Sequence, residues 1–203
     1  MNTCKYLAAL PLLFSLAANS SAGIESGIIG GNFSKSFTGE AKLTLEDADT
    51  DDTQSLDTHS FSVFIGYQTF RDNRFRVSLE KRQFHLDESD YDEDAKGLRF
   101  DWEFVYGSSL VQPFLSLGFG LYQLEDPALF RGTNLDGDSL NGLSFQTSGG
   151  IKINFSDSIE GSVSLERQGL AWQPVDIEIG FYEDTAILTY ANTSLHAGVQ
   201  FNF

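Results

Sequence analysis

The sequence predicts an all-β chain, an eight-stranded antiparallel up-and-down barrel, and three observations predict it. Apolar and polar residues alternate with period two in eight separate stretches, the spacing that sends successive side chains of a strand to opposite faces. The links between those stretches alternate between short and long. The acidic residues collect in the long links, which leaves the apolar faces free of charge along their middles.

Before the first strand comes a segment expected to be removed. Lys5 precedes an apolar run from Tyr6 to Leu16, and residues 17–22 are small or polar. A cationic start, a short apolar run and a small-residue exit make a secretory signal peptide. The cut is placed after Ala22, giving a leader over 1–22 and a barrel domain over 23–203. The apolar run is interrupted by Pro11 and falls short of the roughly 20 residues that a spanning helix needs. Cys4, the one cysteine, precedes the cut, so disulfides, thiolate chemistry and cysteine-held metals are excluded from the mature chain. The net charge of −16 argues against binding nucleic acid, whose phosphates require Lys and Arg. No later run is apolar for about 18 residues, so a closed barrel is the remaining way to cross a bilayer.

The strands follow in order. Over 26–37, Ile29, Gly31, Phe33 and Phe37 oppose Gly30, Asn32, Ser34 and Ser36. Over 59–70, Phe61, Val63, Ile65 and Tyr67 oppose Ser60, Ser62, Gly66 and Gln68. Over 74–84, Phe75, Val77 and Leu79 oppose Arg74, Arg76, Ser78, Glu80 and Arg82. The clearest stretch is 97–106, where Leu98, Phe100, Trp102, Phe104 and Tyr106 alternate with Arg99, Asp101 and Glu103. Over 113–124, Leu115, Leu117, Phe119 and Leu121 oppose Ser116, Gly118, Gly120 and Tyr122. Over 142–155, Phe145, Thr147, Gly149, Ile151 and Ile153 oppose Gln146, Ser148, Gly150, Lys152 and Asn154. Over 159–169, Ile159, Gly161, Val163 and Leu165 oppose Glu160, Ser162, Ser164, Glu166 and Gln168. Over 190–203, Leu195, Ala197, Val199, Phe201 and Phe203 oppose Ser194, His196, Gly198, Gln200 and Asn202.

The short links are 71–73, 107–112 and 156–158; the long ones are 38–58, 85–96, 125–141 and 170–187. The long links hold 21 of the 29 acidic residues and three basic ones, Lys42, Lys96 and Arg131. Short turns at one end and long acidic loops at the other is the plan of a bacterial outer-membrane barrel, with the turns periplasmic and the loops extracellular. On the inward faces, Arg74, Arg76, Arg82, Arg99 and Lys152 match Glu80, Asp101, Glu103, Glu160 and Glu166, five of each sign. Buried charge requires a partner, and eight strands enclose a space that side chains can fill. The reading is therefore a lumen closed by a salt-bridge network, with interior glycines making room for the long arms.

The leader, the eight strands, PFLSLGFGLYQLE over 113–125, GGIKINFSDSIEGSVSLE over 149–166 and the terminal Gln-Phe-Asn-Phe resemble the OmpA/OmpX-type small outer-membrane barrels, often grouped as porin-like β-barrel domains. The resemblance covers the mature chain. It implies residence in the outer membrane of a Gram-negative cell, among outer-membrane lipid and lipopolysaccharide, as a monomer. It also implies that the terminal Phe203 belongs to the signal read by the barrel assembly machinery.

Chemistry is sparse. His59 and His85 fall at strand–loop junctions and His196 on an inward face beside Ser194 and Glu166. Outer-membrane lipid A deacylases use Ser, His and Glu on the lipid-facing side, but here His196 points inward and the His-x-Ser-Asn run of that family is missing. No enzyme and no cofactor are expected. Asp47, Asp49, Asp51, Asp52, the acids of 87–94, Asp136 and Asp138 offer oxygen ligands to divalent cations, yet Ala95 stands where a twelve-residue calcium loop needs Gly. The leading expectation is a non-catalytic barrel with a filled lumen, serving outer-membrane integrity or surface contact. Behind it stand a small pore gated by the interior charges, a lipid-modifying enzyme, and a soluble lipocalin-like barrel with its apolar residues inside.

Overall fold

The computed structural model describes residues 24–46, 50–69, 73–86, 92–125, 127, 139–179 and 182–203. Their backbone forms nine strands: β1 (Ile24–Leu45), β2 (Thr50–Thr69), β3 (Asn73–Leu86), β4 (Asp92–Val105), β5 (Val111–Glu125), β6 (Ser139–Asn154), β7 (Ile159–Trp172), β8 (Val175–Ile179) and β9 (Tyr182–Asn202). Neighbours in sequence pair antiparallel from β1 through β7, β7 pairs β9, and β9 pairs β1, so eight strands close into a ring. A row of partners that starts at Gly31 passes through Val63, Leu79, Leu98, Leu121, Leu143, Ala171 and Thr189 and returns to β1 at Lys42. That stagger is what a closed barrel with tilted strands requires.

The two faces part as the alternation requires. Phe33, Phe61, Leu79, Trp102, Leu117, Phe119, Phe145, Leu165 and Phe201 lie exposed on the outer wall, whereas Arg99 is 7% and Glu103 0% exposed. An apolar belt of this extent exceeds what water-soluble monomers present, and it rules out the lipocalin-like arrangement. Toward the short-turn end Tyr67, Phe75, Trp102 and Phe104 stack in a string with ring centroids 5.2, 5.3 and 4.7 Å apart, the position of an aromatic girdle.

Ile24, Phe203 and the short links after β4 and β6 share one end of the ring. In the link after β4, Gly107 adopts φ 81°, a left-handed conformation that favours glycine. The seam between β1 and β9 is closed at this end by Gly27 and Phe203, whose backbones exchange N–H···O bonds of 2.7 and 2.9 Å. The Phe203 ring lies over Gly27, where a Cβ would leave it no room.

The structure corrects the sequence reading at the other end. The link expected over 170–187 is largely strand, because β7 runs to Trp172, β9 begins at Tyr182 and β8 pairs with β9 from Val175↔Ala186 to Ile179↔Tyr182. The link expected over 38–58 is likewise mostly a two-stranded extension of β1 and β2. His59 lies well inside β2 rather than at a junction, whereas His85, one residue short of the end of β3, stays at the strand's edge as expected. The physical reason is a second core. Phe84, Leu86, Leu124, Leu140, Leu170, Trp172, Leu188 and Tyr190 pack together inside the ring with Ala41, Leu56, Ala95, Val175 and Ala186, and this apolar filling continues the strands past the charged interior. Nor are all acids of the long links solvated, since Glu93 and Asp184 are buried.

Candidate functional site

The inward residues of β3 read along the barrel axis: Arg74, Arg76, Ser78, Glu80, Arg82, then Phe84 and Leu86, every one of them buried. The ten interior charges expected from the sequence, Arg74, Arg76, Arg82, Arg99, Lys152, Glu80, Asp101, Glu103, Glu160 and Glu166, are all buried. They form two clusters, and among the described residues no ion pair joins one to the other.

The cluster nearer the short turns holds three cations and two carboxylates. Arg74 grips Glu160 with both terminal nitrogens, at 2.6 and 2.9 Å. Lys152 Nζ stands 2.8 Å from Glu103 and 3.0 Å from Glu160, and Arg76 stands 3.2 Å from Glu103. The guanidinium of Arg76 lies over the Phe64 ring at 5.0 Å, and the Lys152 ammonium over the Phe114 ring at 4.9 Å. These aromatics share the extra positive charge of the cluster.

The deeper cluster has the opposite imbalance, two cations against three carboxylates. Arg82 binds Glu80 through Nε at 2.9 Å and Nη2 at 2.5 Å, and its Nη1 donates to Gln168. Arg99 is clasped between Asp101 at 2.9 Å and Glu166 at 2.5 Å. His196 Nε2 stands 3.3 Å from Glu166. One interior glycine serves the charged groups directly, since a Cβ on Gly118 would meet Asp101 and Gln146, whereas one on Gly66 would first strike the Phe75 carbonyl.

Tyr122 forms the ceiling. Its hydroxyl donates to Glu80 Oε2 at 2.9 Å, and its ring lies against Gly97 and Gly120. Beyond it Phe84, Trp172 and Tyr190 meet edge to face at 4.9 to 6.4 Å. Tyr190 turns its hydroxyl to the buried Glu93, 2.5 Å away. Tyr122, Gln168 and this apolar cap were not singled out from the sequence, although they occupy the same strand parity as the charged residues.

The opposite mouth is a polar vestibule of about 540 Å³, bordered by Gln68, Gln112, Asn154 and Asn202 with the Arg74–Glu160 pair at its edge. His196 and Ser194 are both enclosed, and the Ser194 hydroxyl donates to Asn192 Oδ1 at 3.4 Å rather than to the imidazole. Of the acidic positions considered for cations, Asp51 pairs with Lys42, Asp92 with His85 and Asp94 with Lys81, at 2.7 to 2.9 Å. The acids at 47, 49, 87, 88, 90, 136 and 138 and the leader over 1–22 lie outside the described residues.

No family model matches the chain, and no curated protein matches it. Among solved structures it is similar to Neisserial surface protein A, at 11% identity and a TM-score of 0.49 over 87% of this chain and 97% of that one. It is similar to the N-terminal β-barrel domain of Pseudomonas aeruginosa OprF, at 18% identity and a TM-score of 0.45 over 89% and 99% of the two chains. It is also similar to the outer membrane enzyme PagL, at 11% identity and a TM-score of 0.44 over 79% and 97%. An eight-stranded antiparallel ring with an apolar outside and charged residues within is the architecture of the small outer-membrane barrels.

Proposed function

We propose that this chain is an exported, non-catalytic outer-membrane barrel whose lumen is closed by its own side chains, and that it serves membrane integrity or surface contact through its acidic outer hairpins. The observation that carries the reading is the sequence of layers along the axis: two ion-pair clusters beneath a packed apolar cap. Ions entering from the short-turn mouth would meet paired guanidinium and carboxylate groups first, and then a stretch of Leu, Phe and Trp in which the Tyr190–Glu93 pair is already satisfied. Dewetted apolar constrictions stop conduction. The enclosure of His196 against Glu166 supports the non-catalytic reading, because lipid outside the wall has no path to it. Phe203, on the closing seam, would present the terminal aromatic to the assembly machinery during folding, and the folded chain would stand as a monomer in lipid and lipopolysaccharide.

The test is single-channel recording of the refolded mature chain in planar bilayers. Negligible conductance is expected. Stable openings that change on substituting Glu103 or Arg99 would contradict the closed lumen and make the chain a small gated pore. Lipid A of altered mass in expressing cells, reverting with His196→Ala, would contradict the non-catalytic half of the reading.

A further inference from the structure

Around the outer wall, one outward step past the apolar belt toward the long-link end, four strands carry a basic residue: Lys35 after Phe33, Lys81 after Leu79, Lys96 after Leu98 and Arg167 after Leu165. The other four carry His59, Gln123, Asn141 and Thr193. None of the eight is acidic, in a chain with 29 acidic residues against 13 basic ones. Five of those 13 fill the lumen, so half of the remaining eight stand in this collar. On β1, Phe37 lies one further step out and keeps Lys35 within the belt's edge.

Pairing inside the protein accounts for only half of the collar. Lys81 and Lys96 face each other directly across β3 and β4, an arrangement of like charges that costs stability. Their carboxylate partners, Asp94 at 2.8 Å and Glu125 at 2.7 Å, lie on the side away from the belt. Arg167 donates to Thr193 Oγ1 at 3.0 Å and, among the described residues, has no carboxylate within ion-pair distance. Below it the wall is hollowed into a furrow of about 630 Å³, in which Thr147 and Gly149 give depth and Leu115, Leu117 and Leu165 give apolar sides. A cation at the head of an apolar furrow matches an anionic headgroup above an acyl chain.

We propose that this collar binds lipopolysaccharide through the phosphates of its lipid A, with one acyl chain lying in the furrow beneath Arg167. The inference rests on the outer-membrane reading above and gives the lipopolysaccharide named there a binding site on the wall. Cations on four strands fit a headgroup with more than one phosphate better than a phospholipid with one.

The test is titration of the mature chain, folded in detergent micelles, with diphosphoryl lipid A, dephosphorylated lipid A and phosphatidylglycerol, read by native mass spectrometry. Diphosphoryl lipid A should bind about tenfold more tightly than either other lipid, the order expected for several exposed ion pairs acting together. The preference should shrink in Arg167→Gln, vanish when Lys35, Lys81, Lys96 and Arg167 are all changed to Gln, and vanish in wild type at about 1 M salt, where charges are screened beyond about 3 Å. Equal binding of the three lipids, or a preference that survives salt and the Arg167→Gln change, would overturn the proposal. Should the fourfold variant fail to fold, the single variant and the salt series decide. Conductance of the same samples separates the two readings: an open channel with the lipid preference intact contradicts only the closed lumen, and a silent, folded barrel without the preference contradicts only the collar.

Discussion

Tyr122 Oη donates to Glu80 Oε2 at 2.9 Å, and this contact joins the charged half of the interior to the apolar half. The Tyr122 ring belongs to the apolar cap, while Glu80 belongs to the deeper ion cluster. Tyr122→Phe keeps the ring and leaves one oxygen of a buried carboxylate without its donor. A loss of about 1–3 kcal/mol in unfolding free energy is expected, measured as the urea midpoint of the protein folded in micelles.

Glu103 is the hub of the other cluster, with Lys152 at 2.8 Å and Arg76 at 3.2 Å. Glu103→Gln leaves three buried cations facing Glu160 alone. Breaking a buried pair from one side costs about 3–5 kcal/mol, whereas replacing both partners by apolar residues is often near neutral. The double change Glu103→Met with Lys152→Met should therefore be clearly more stable than Glu103→Gln, by the same urea measurement.

Trp172 packs against Phe84 and Tyr190 at the centre of the cap, and its indole Nε1 has no hydrogen-bond partner among the described residues. Trp172→Ala should cost about 3–5 kcal/mol, as large core truncations do. Trp172→Phe should cost much less, because the ring packing is largely kept and no hydrogen bond is lost. Equal losses in the two variants would show that the cap is not a packed core.

At the tip of the β1–β2 hairpin, Lys42 Nζ lies 2.7 Å from Asp51 and Thr44 Oγ1 donates to it at 2.8 Å. The Lys42 contact first, and then Thr44, hold the Asp51 carboxyl below its ordinary value of 3.8. A depressed carboxyl contributes stability above its unfolded value and loses that contribution as pH falls through the folded one. Protection of the amides around Lys42, Thr44 and Asp51, after correction for the intrinsic pH dependence of exchange, should be unchanged from neutral pH down to about 4 and should fall only below it. Lys42→Gln should move the Asp51 titration, followed by carbonyl chemical shift, back up toward 3.8.

The barrel and its charged interior were legible because period-two alternation is a local property. Arg99, Asp101 and Glu103 sit between Leu98, Phe100, Trp102 and Phe104, and one glance along β4 assigns every face. What the alternation does not announce is a change in what the inside is made of. Phe84 and Leu86 keep the parity of Arg74 to Arg82, and Leu170 and Trp172 keep that of Glu166 and Gln168. Their apolar character nevertheless made the pattern look finished, so strand was read as loop. Tracking parity instead of polarity would have carried β7 and β9 into the cap, as it already carried β5 to Leu124. The partition of the ten charges into two clusters of opposite imbalance was not legible, since it depends on pairs such as Arg74–Glu160, separated by 86 residues in sequence.

The central claim is that the apolar wall faces hydrocarbon and the interior does not, and the chain's two tryptophans report on the two sides. Trp102 is 43% exposed within the outer belt, and Trp172 is 3% exposed inside the cap. The measurement is fluorescence quenching by lipids brominated along their acyl chains, in bilayers holding either Trp172→Phe, which leaves Trp102, or Trp102→Phe, which leaves Trp172. Strong quenching of Trp102 with Trp172 nearly untouched is the predicted result. Quenching of Trp172 with Trp102 unaffected, or no quenching of either, would contradict the account.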